Sequence, residues 1–413
     1  MMRYIYTAGI YIYGFLVFIA AVFNKKAAVM IRGRKDSFSR IRNSFDRGDR
    51  VFWFHCASLG EFEQGRPLIE RIKTEQPGIK ILLTFYSPSG YLQRYNYDKA
   101  DCVVFLPADT PRNARKMIRL ANPEKVIFIK YEFWFNYLRI LQKKRIPVYL
   151  VSGIFRRSQF FFRCYGKYFL AILRGFTHLF IQDENSARLL REQSITNYSV
   201  SGDTRFDRVA AVSRAAADLP LIDSFGKGHR LIVAGSSWPA EEEMLSEYMD
   251  SGRDDLRCII APHNTDDSNI ERIENILKVP SCRYSRLEAG VPPGVKVLII
   301  DSIGLLSSVY RYAGVAVIGG GFGRGIHNIL EAAAWGVPLM FGPRHQKFRE
   351  AHDLIRLKGA KVFDNYAGFS SAMDLFLDDH LLREESGKIN KAYVDDNRGA
   401  TEAACSELLT GNC

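Results

Sequence analysis

Hydrophobic and polar positions along this chain fall into three regimes. From Tyr4 to Phe23 about 20 residues pass without a charge, long enough to cross a hydrocarbon layer of roughly 30 Å as a helix. From there to Asp49 the chain is polar and basic and reads as a linker. Beyond Asp49, short apolar runs alternate with longer amphipathic stretches, the rhythm of βαβ units. Runs at 51–55, 79–84, 102–106, 125–129, 148–152, 178–182 and 198–201 predict the strands of one doubly wound sheet. The Ala-rich stretch 208–225, with its Leu-Pro step, reads as a connection. The alternation then restarts at 231–234, 256–261, 295–300, 315–318, 338–341 and 360–362, which predicts a second Rossmann-like domain. The expected organisation is therefore an anchor and basic linker over 1–49, a first Rossmann-like domain over 50–215 and a second over 216–413. No short repeat appears, which sets solenoids aside.

Length agrees with this pattern, because 413 residues exceed one compact core and suit two domains with a cleft between them. The 47% hydrophobic and 25% charged residues exclude large-scale disorder. A net charge of +12 favours anionic partners, whether nucleic acid, phospholipid headgroups or phosphorylated substrates. Spread-out basic residues and the lack of a recognised nucleic-acid module argue against the first of these. Lys25, Lys26, Arg32, Arg34 and Lys35 follow the apolar segment, so the positive-inside rule places the rest of the chain in the cytoplasm. A cleaved signal peptide would carry its charges before the apolar stretch. A helix buried on the body, or lying in the interface, stays open as the alternative. Cys56, Cys102, Cys164, Cys258, Cys282, Cys405 and Cys413 form no CxxC pair and are odd in number, so reduced packing residues are expected.

The unusual residues fall at predicted strand ends, where open α/β sheets bind ligands. His55-Cys56-Ala57-Ser58-Leu59-Gly60-Glu61 runs from a strand through a small-residue turn into a helix. Amides at a helix start favour an anion, and Glu61 at the turn suits a general base acting on a hydroxyl. The same letters spell a capping box, Ser58 with Glu61. Lys130-Tyr131-Glu132-Phe133-Trp134-Phe135-Asn136 sets a carboxylate among aromatics, either to contact an acceptor and orient a catalytic group or as a surface ion pair. Gly319-Gly320-Gly321-Phe322-Gly323-Arg324-Gly325-Ile326-His327-Asn328-Ile329-Leu330-Glu331 lets backbone approach a phosphate, with Asn328 and the helix start serving it and Glu331 serving a ribose. Its place late in the second domain argues against a dinucleotide fingerprint, which belongs at the first strand-to-helix turn. Glu241, Glu242 and Glu243 suit a helix dipole. His263, after Pro262, is a polar cap or a ligand. No HExxH, DxD-type pair or His cluster occurs, so no catalytic metal is expected.

Taken together, HCASLGE, TFYSPSGY, FLPADTP, YEFWFN, VSGIFRRS, SGDTRFD, AGSSWPAEEE, APH, DSIG and GIHNILEAAAWGVPLMFGP resemble the Kdo (3-deoxy-D-manno-octulosonic acid) transferases of lipopolysaccharide synthesis, over nearly the full length. The resemblance implies an α/β fold of GT-B architecture, two Rossmann-like domains facing across a cleft behind an amino-terminal membrane-anchoring helix. It implies CMP-Kdo as donor and a lipid A precursor (lipid IVA) as acceptor, inversion at the anomeric carbon, no cofactor and no metal. It further implies attachment to the cytoplasmic face of the inner membrane, among anionic lipids, and no nucleic-acid partner. By position, Glu61 matches the family's general base, and Glu132 and Arg205 match residues that stabilise transition-state charge. Pro262, His263, Ile303, Gly304, Leu305, Asn328, Ile329, Leu330 and Glu331 match the segments that hold CMP. The chain departs from the pattern at Lys130 and Leu305, where relatives carry Glu, at His263, where they carry Arg, and at Arg205, where they carry Lys. A GT-B transferase of UDP-sugars and a membrane-bound nucleotide-binding protein without activity are the competing readings, and donor assays separate them.

Overall fold

The computed structural model describes residues 2–163, 166–287 and 290–410, so Cys164 and Cys413 lie outside the described residues. The chain divides into two compact units, 1–208 with 398–413, and 209–397. The first holds β1 (Val51–Cys56), β2 (Lys80–Phe85), β3 (Cys102–Phe105), β4 (Lys125–Ile129), β5 (Val148–Gly153), β6 (His178–Ile181) and β7 (Tyr198–Val200) in the order β3-β2-β1-β4-β5-β6-β7. All neighbours pair in parallel. Every residue of β1 is buried, as expected of a central parallel strand covered by helices on both faces. The pleat sends Trp53 into one core with Phe128 and Tyr137, and Phe52 and Phe54 into the other with Ile81 and Ile127.

The second unit repeats the plan with β8 (Arg230–Ser237), β9 (Leu256–Pro262), β10 (Ser281–Arg283), β11 (Val297–Ile299), β12 (Val315–Ile318), β13 (Leu339–Phe341) and β14 (Ala360–Val362), ordered β10-β11-β9-β8-β12-β13-β14 and again parallel. Both Rossmann-like units predicted from the alternation are present. The sequence reading lacks only β10, a three-residue Ser-Cys-Arg strand at the sheet edge with no apolar run to announce it.

Three expectations are corrected. Residues read as a basic linker form a helix, α2 (Lys25–Ser44), which follows α1 (Met2–Ala20). Asn24 caps α2, its side-chain oxygen accepting from the N–H groups of Lys26 (2.9 Å) and Ala27 (3.3 Å). The helix packs on β3 because Gly33 lets it approach: a Cβ there would lie 2.3 Å from the Phe105 ring. Ser37 donates to the Phe105 carbonyl (2.8 Å) and Arg34 to that of Leu106 (3.1 Å). The charges that suggested a linker thus lie mostly on the outer side of a packed helix. The connection read over 208–225 is likewise helical, Thr204–Ala215 and Pro220–Gly226.

The third correction concerns the domain limits. The helix Ala400–Thr410 belongs to the first unit, not to the second as the span 216–413 implied. It buries Ala404, Cys405 and Leu408 beside Phe52 and Ile72. The Lys125 ammonium donates to the Leu408 carbonyl (2.7 Å), and the Asp207 carboxylate accepts the N–H groups of Gly399 (2.7 Å) and Thr401 (2.8 Å). Helical periodicity declares that a face is buried but not in which core.

Candidate active site

In each sheet, strand order reverses beside the first strand, between β1 and β4 and between β8 and β12, which opens a crevice at the carboxyl ends. In the first unit β1 delivers Cys56-Ala57-Ser58 into α3 (Leu59–Glu75), whose first turn carries Glu61 half-exposed at the sheet edge. The capping box does not form. The Ser58 carbonyl accepts the Phe62 N–H (3.1 Å), but its side chain makes no bond to the helix backbone and the hydroxyl donates instead to the Glu61 carboxylate. Cys56 is fully buried; desolvation first, then the nearby Glu61 and Glu132 carboxylates, push its thiol well above the usual range and make it a packing residue.

Across the switch point, β4 is followed by Lys130, in the left-handed region at φ 68°, which turns the chain into Tyr131 and Glu132. Glu132 is not a surface ion pair. Its Oε2 accepts the Trp134 indole N–H (2.7 Å) and lies 3.2 Å from Nε2 of His55, a fully buried residue. The same indole N–H lies 2.9 Å from His55 Nε2. The other ring nitrogen of His55 meets Thr84 Oγ1 at 2.9 Å, and that hydroxyl also accepts from the Trp53 indole (2.8 Å) and donates to the Phe54 carbonyl (3.2 Å). With its single hydrogen committed to that carbonyl, the Thr84 hydroxyl accepts a hydrogen bond from His55, which puts the His55 hydrogen on Nδ1 and leaves Nε2 to accept from the Trp134 indole. His55 escaped the sequence reading; its only signal was its place at the end of an apolar strand, directly before the motif.

Arg205 opens the helix after β7, held by a buried partner. Its guanidinium Nε and its backbone N–H both donate to the Asp203 carboxylate (2.9 Å each), and Gln64 donates to the same group (2.8 Å). Burial opposes ionisation of Asp203, but the Arg205 charge and these hydrogen bonds outweigh it and hold the carboxyl below its usual range. Glu61 follows β1, Glu132 follows β4 and Arg205 follows β7, so all three expected residues of this unit lie at the carboxyl edge of one parallel sheet.

In the second unit Pro262 is buried at the end of β9 and His263 is exposed beyond it. The His263 ring stacks against both Trp238 (4.8 Å between centroids, 18° between planes) and His327 (4.5 Å, 29°). The Trp238 indole donates to His327 Nε2 at 3.0 Å. Burial first, and the neighbouring His263 second, press the His327 pKa down to about 4, so this imidazole is neutral near pH 7. Trp238 and His327 were not among the expected site residues.

The glycine-rich loop after β12 serves the protein more than the sequence suggested. A Cβ on Gly319 would lie 2.1 Å from the Ser236 carbonyl, and one on Gly321 2.5 Å from the Gly342 backbone. The N–H groups of Gly320 and Gly321 turn toward the buried Glu241 carboxylate, which also accepts from the Trp238 N–H (3.2 Å). Glu242 is buried as well, bonded by Ser237 (2.8 Å) and paired with Arg272, so the acidic first turn is structural. Further along, Asn328 donates to Glu331 (3.0 Å) and accepts from the Leu330 N–H (3.3 Å), with both polar side chains half-exposed. Ile329 and Leu330 are buried and present backbone only, at the start of a single helical turn, Leu330–Ala333. Ile303, Gly304 and Leu305 form a separate loop after β11, where Ile303 is 91% exposed and Gly304 takes φ 106°. Among the described residues, no three His, Cys, Asp or Glu side chains are grouped to hold a metal ion.

Residues 32–208 match the family described as 3-Deoxy-D-manno-octulosonic-acid transferase (kdotransferase). The chain is 26% identical over 321 residues to the 3-deoxy-D-manno-octulosonic acid transferase of Aquifex aeolicus (strain VF5), covering 75% of this chain and 81% of that one. It is 26% identical over 376 residues to the enzyme of the same name from Bordetella pertussis, covering 86% of each. Among solved structures it is similar to UDP-GlcNAc 2-epimerase from Neisseria meningitidis, with a TM-score of 0.60 at 13% identity over 88% of this chain and 100% of that one, a likeness of fold.

Proposed function

We propose that this chain is a Kdo transferase, a glycosyltransferase of lipopolysaccharide synthesis, and that it moves Kdo from CMP-Kdo to a lipid A precursor, lipid IVA, with inversion at the anomeric carbon. The observation that carries the reading is the placement of Glu61: a half-exposed carboxylate in the first turn of a helix, at the switch point of the first sheet, with Glu132 and Arg205 at the same edge.

In this reading Glu61 takes the proton from an acceptor hydroxyl as the new glycosidic bond forms, and Ser58 fixes its carboxylate orientation. Glu132, held by the Trp134 indole, and Arg205, held by Asp203, set the field around the reacting centre without themselves exchanging protons. The second unit holds the nucleotide. Its cytidine and phosphate meet His263, the Asn328–Glu331 pair and the backbone of Ile329 and Leu330, with Ile303, Gly304 and Leu305 closing over one side. No cofactor and no metal take part, so transfer is expected to run at the same rate in excess EDTA.

The test is Glu61→Gln, which keeps shape and hydrogen bonding but removes the base. Turnover is expected to fall between about a hundredfold and ten-thousandfold, the usual range for losing a general base, while CMP binding measured by calorimetry stays unchanged. Turnover equal to wild type would remove Glu61 from the mechanism.

A further inference from the structure

Helix α1 is long and apolar enough to cross a membrane, yet it does not stand clear of the first unit. Tyr6, Thr7, Ile10, Gly14 and Val17 are half-buried while the positions between them are exposed, the stripe of a helix laid sideways on a surface. A polar lock fixes it. The Tyr6 hydroxyl donates to the buried Asp109 carboxylate (2.8 Å), which also accepts the N–H groups of Asn136 and Tyr137 (3.0 Å each). The Tyr6 ring packs 5.4 Å from that of Phe135, and Tyr13 interacts with Tyr86. Midway along, a groove of about 510 Å³ separates Ile10, Gly14 and Phe15 from Arg112 and Lys116 of the helix Pro111–Ala121. The outer face carries Ile5, Ile12, Phe15, Leu16, Phe18 and Ile19, all 45% exposed or more.

A helix crossing a bilayer would take its docked neighbours with it. Between Tyr6 and Val17 it runs about 16 Å along the polar flank of the first unit, and a perpendicular posture would draw Asp109, Arg112 and Lys116 into hydrocarbon. Undocking would break the Tyr6–Asp109 bond and bare the stripe. An in-plane posture does neither: the apolar face enters the boundary between headgroups and acyl chains while Lys25, Lys26 and Arg112, all exposed, meet anionic headgroups.

We propose that α1 is a monotopic anchor that lies in the plane of an anionic bilayer, locked to the first unit by Tyr6 and Asp109, rather than a membrane-spanning helix. This posture brings the active-site edge to the lipid surface, because the ring of Tyr86, the partner of Tyr13, packs at a tilt 4.8 Å from that of Trp134, the residue that holds Glu132. That consequence rests on the transferase reading; the posture itself does not, and it is measured without any turnover.

The full chain, with Cys164, Cys282 and Cys413 replaced by Ser so that only buried thiols remain among the native cysteines, receives single cysteines at positions 5, 12, 16 and 19 for nitroxide labelling in phosphatidylglycerol–phosphatidylethanolamine vesicles. All four labels are expected at one shallow depth, about 5–10 Å below the headgroups. A profile that deepens to the bilayer centre at position 12 and shallows toward both ends would overturn the proposal. In membranes from expressing cells, an epitope fused ahead of Met1 is expected to be digested from the side that carries the two α/β units, and digestion only from the opposite side would likewise overturn it. The double change Arg112→Glu and Lys116→Glu is expected to weaken binding to the anionic vesicles at least tenfold; unchanged binding would remove these cations from the docking surface. An inactive protein with the shallow profile would refute the transferase reading alone.

Discussion

His55 has no access to water, and what it touches decides what Glu132 can do. Replacing it by Phe preserves the ring but leaves Thr84 and the Trp134–Glu132 pair without their partner. Unsatisfied buried groups of this kind cost about 1–3 kcal/mol, so urea unfolding of His55→Phe is expected to show a loss of that size. A variant as stable as wild type would mean that the network is ornamental. In the second unit the His327 pKa, pressed from 6.5 down to about 4, gives a pH signature of definite sign. Between those values the unfolded chain binds more protons than the folded one, so this residue's stabilising contribution is intact above pH 6.5 and is lost as the pH falls toward 4. Histidine NMR of the full chain is expected to give its midpoint near 4; a midpoint at or above 6.5 would mean that the stack with His263 and Trp238 does not persist in solution. At this scale the sequence was readable for position, since Glu61 and Glu132 stand just beyond β1 and β4 as their place behind apolar runs predicts. It was silent on His55, Asp203, Trp238 and His327, whose roles come from partners brought in by other strands.

At the scale of elements, the alternation located every strand with an apolar run and missed β10, which has none. It also misread α2, because a surface helix with a narrow buried stripe looks in composition like a charged linker. Gly33 is the residue that betrays the packing. Gly33→Ala would place a methyl group against the buried Phe105 ring, and the overpacking is expected to cost about 1–3 kcal/mol in urea unfolding. No loss would mean that α2 can lift from β3. The glycines after β12 carry the same lesson: the pattern that suggests a phosphate cradle is also the pattern that lets two loops of backbone meet, and at Gly319 and Gly321 the second use is visible in the structure.

For the whole molecule, two Rossmann-like units could be inferred from a rhythm that stops and restarts, but the return of the last helix could not. Leu408→Ala should therefore destabilise the first unit, by about 2–5 kcal/mol for a buried leucine, despite lying at the far end of the chain. Hydrogen exchange is expected to quicken in β1 and not in β12, and the reverse pattern would place the helix with the other core. The paired units and the likeness to Kdo transferases both support the proposed glycosyl transfer. The most direct measurement is mass spectrometry of the lipid after incubating the full chain, in parallel, with lipid IVA and either CMP-Kdo or a UDP-sugar. The account expects lipid heavier by whole Kdo residues, with CMP released in equal amount, only in the first reaction. Lipid unchanged by CMP-Kdo but glycosylated from the UDP-sugar would contradict it.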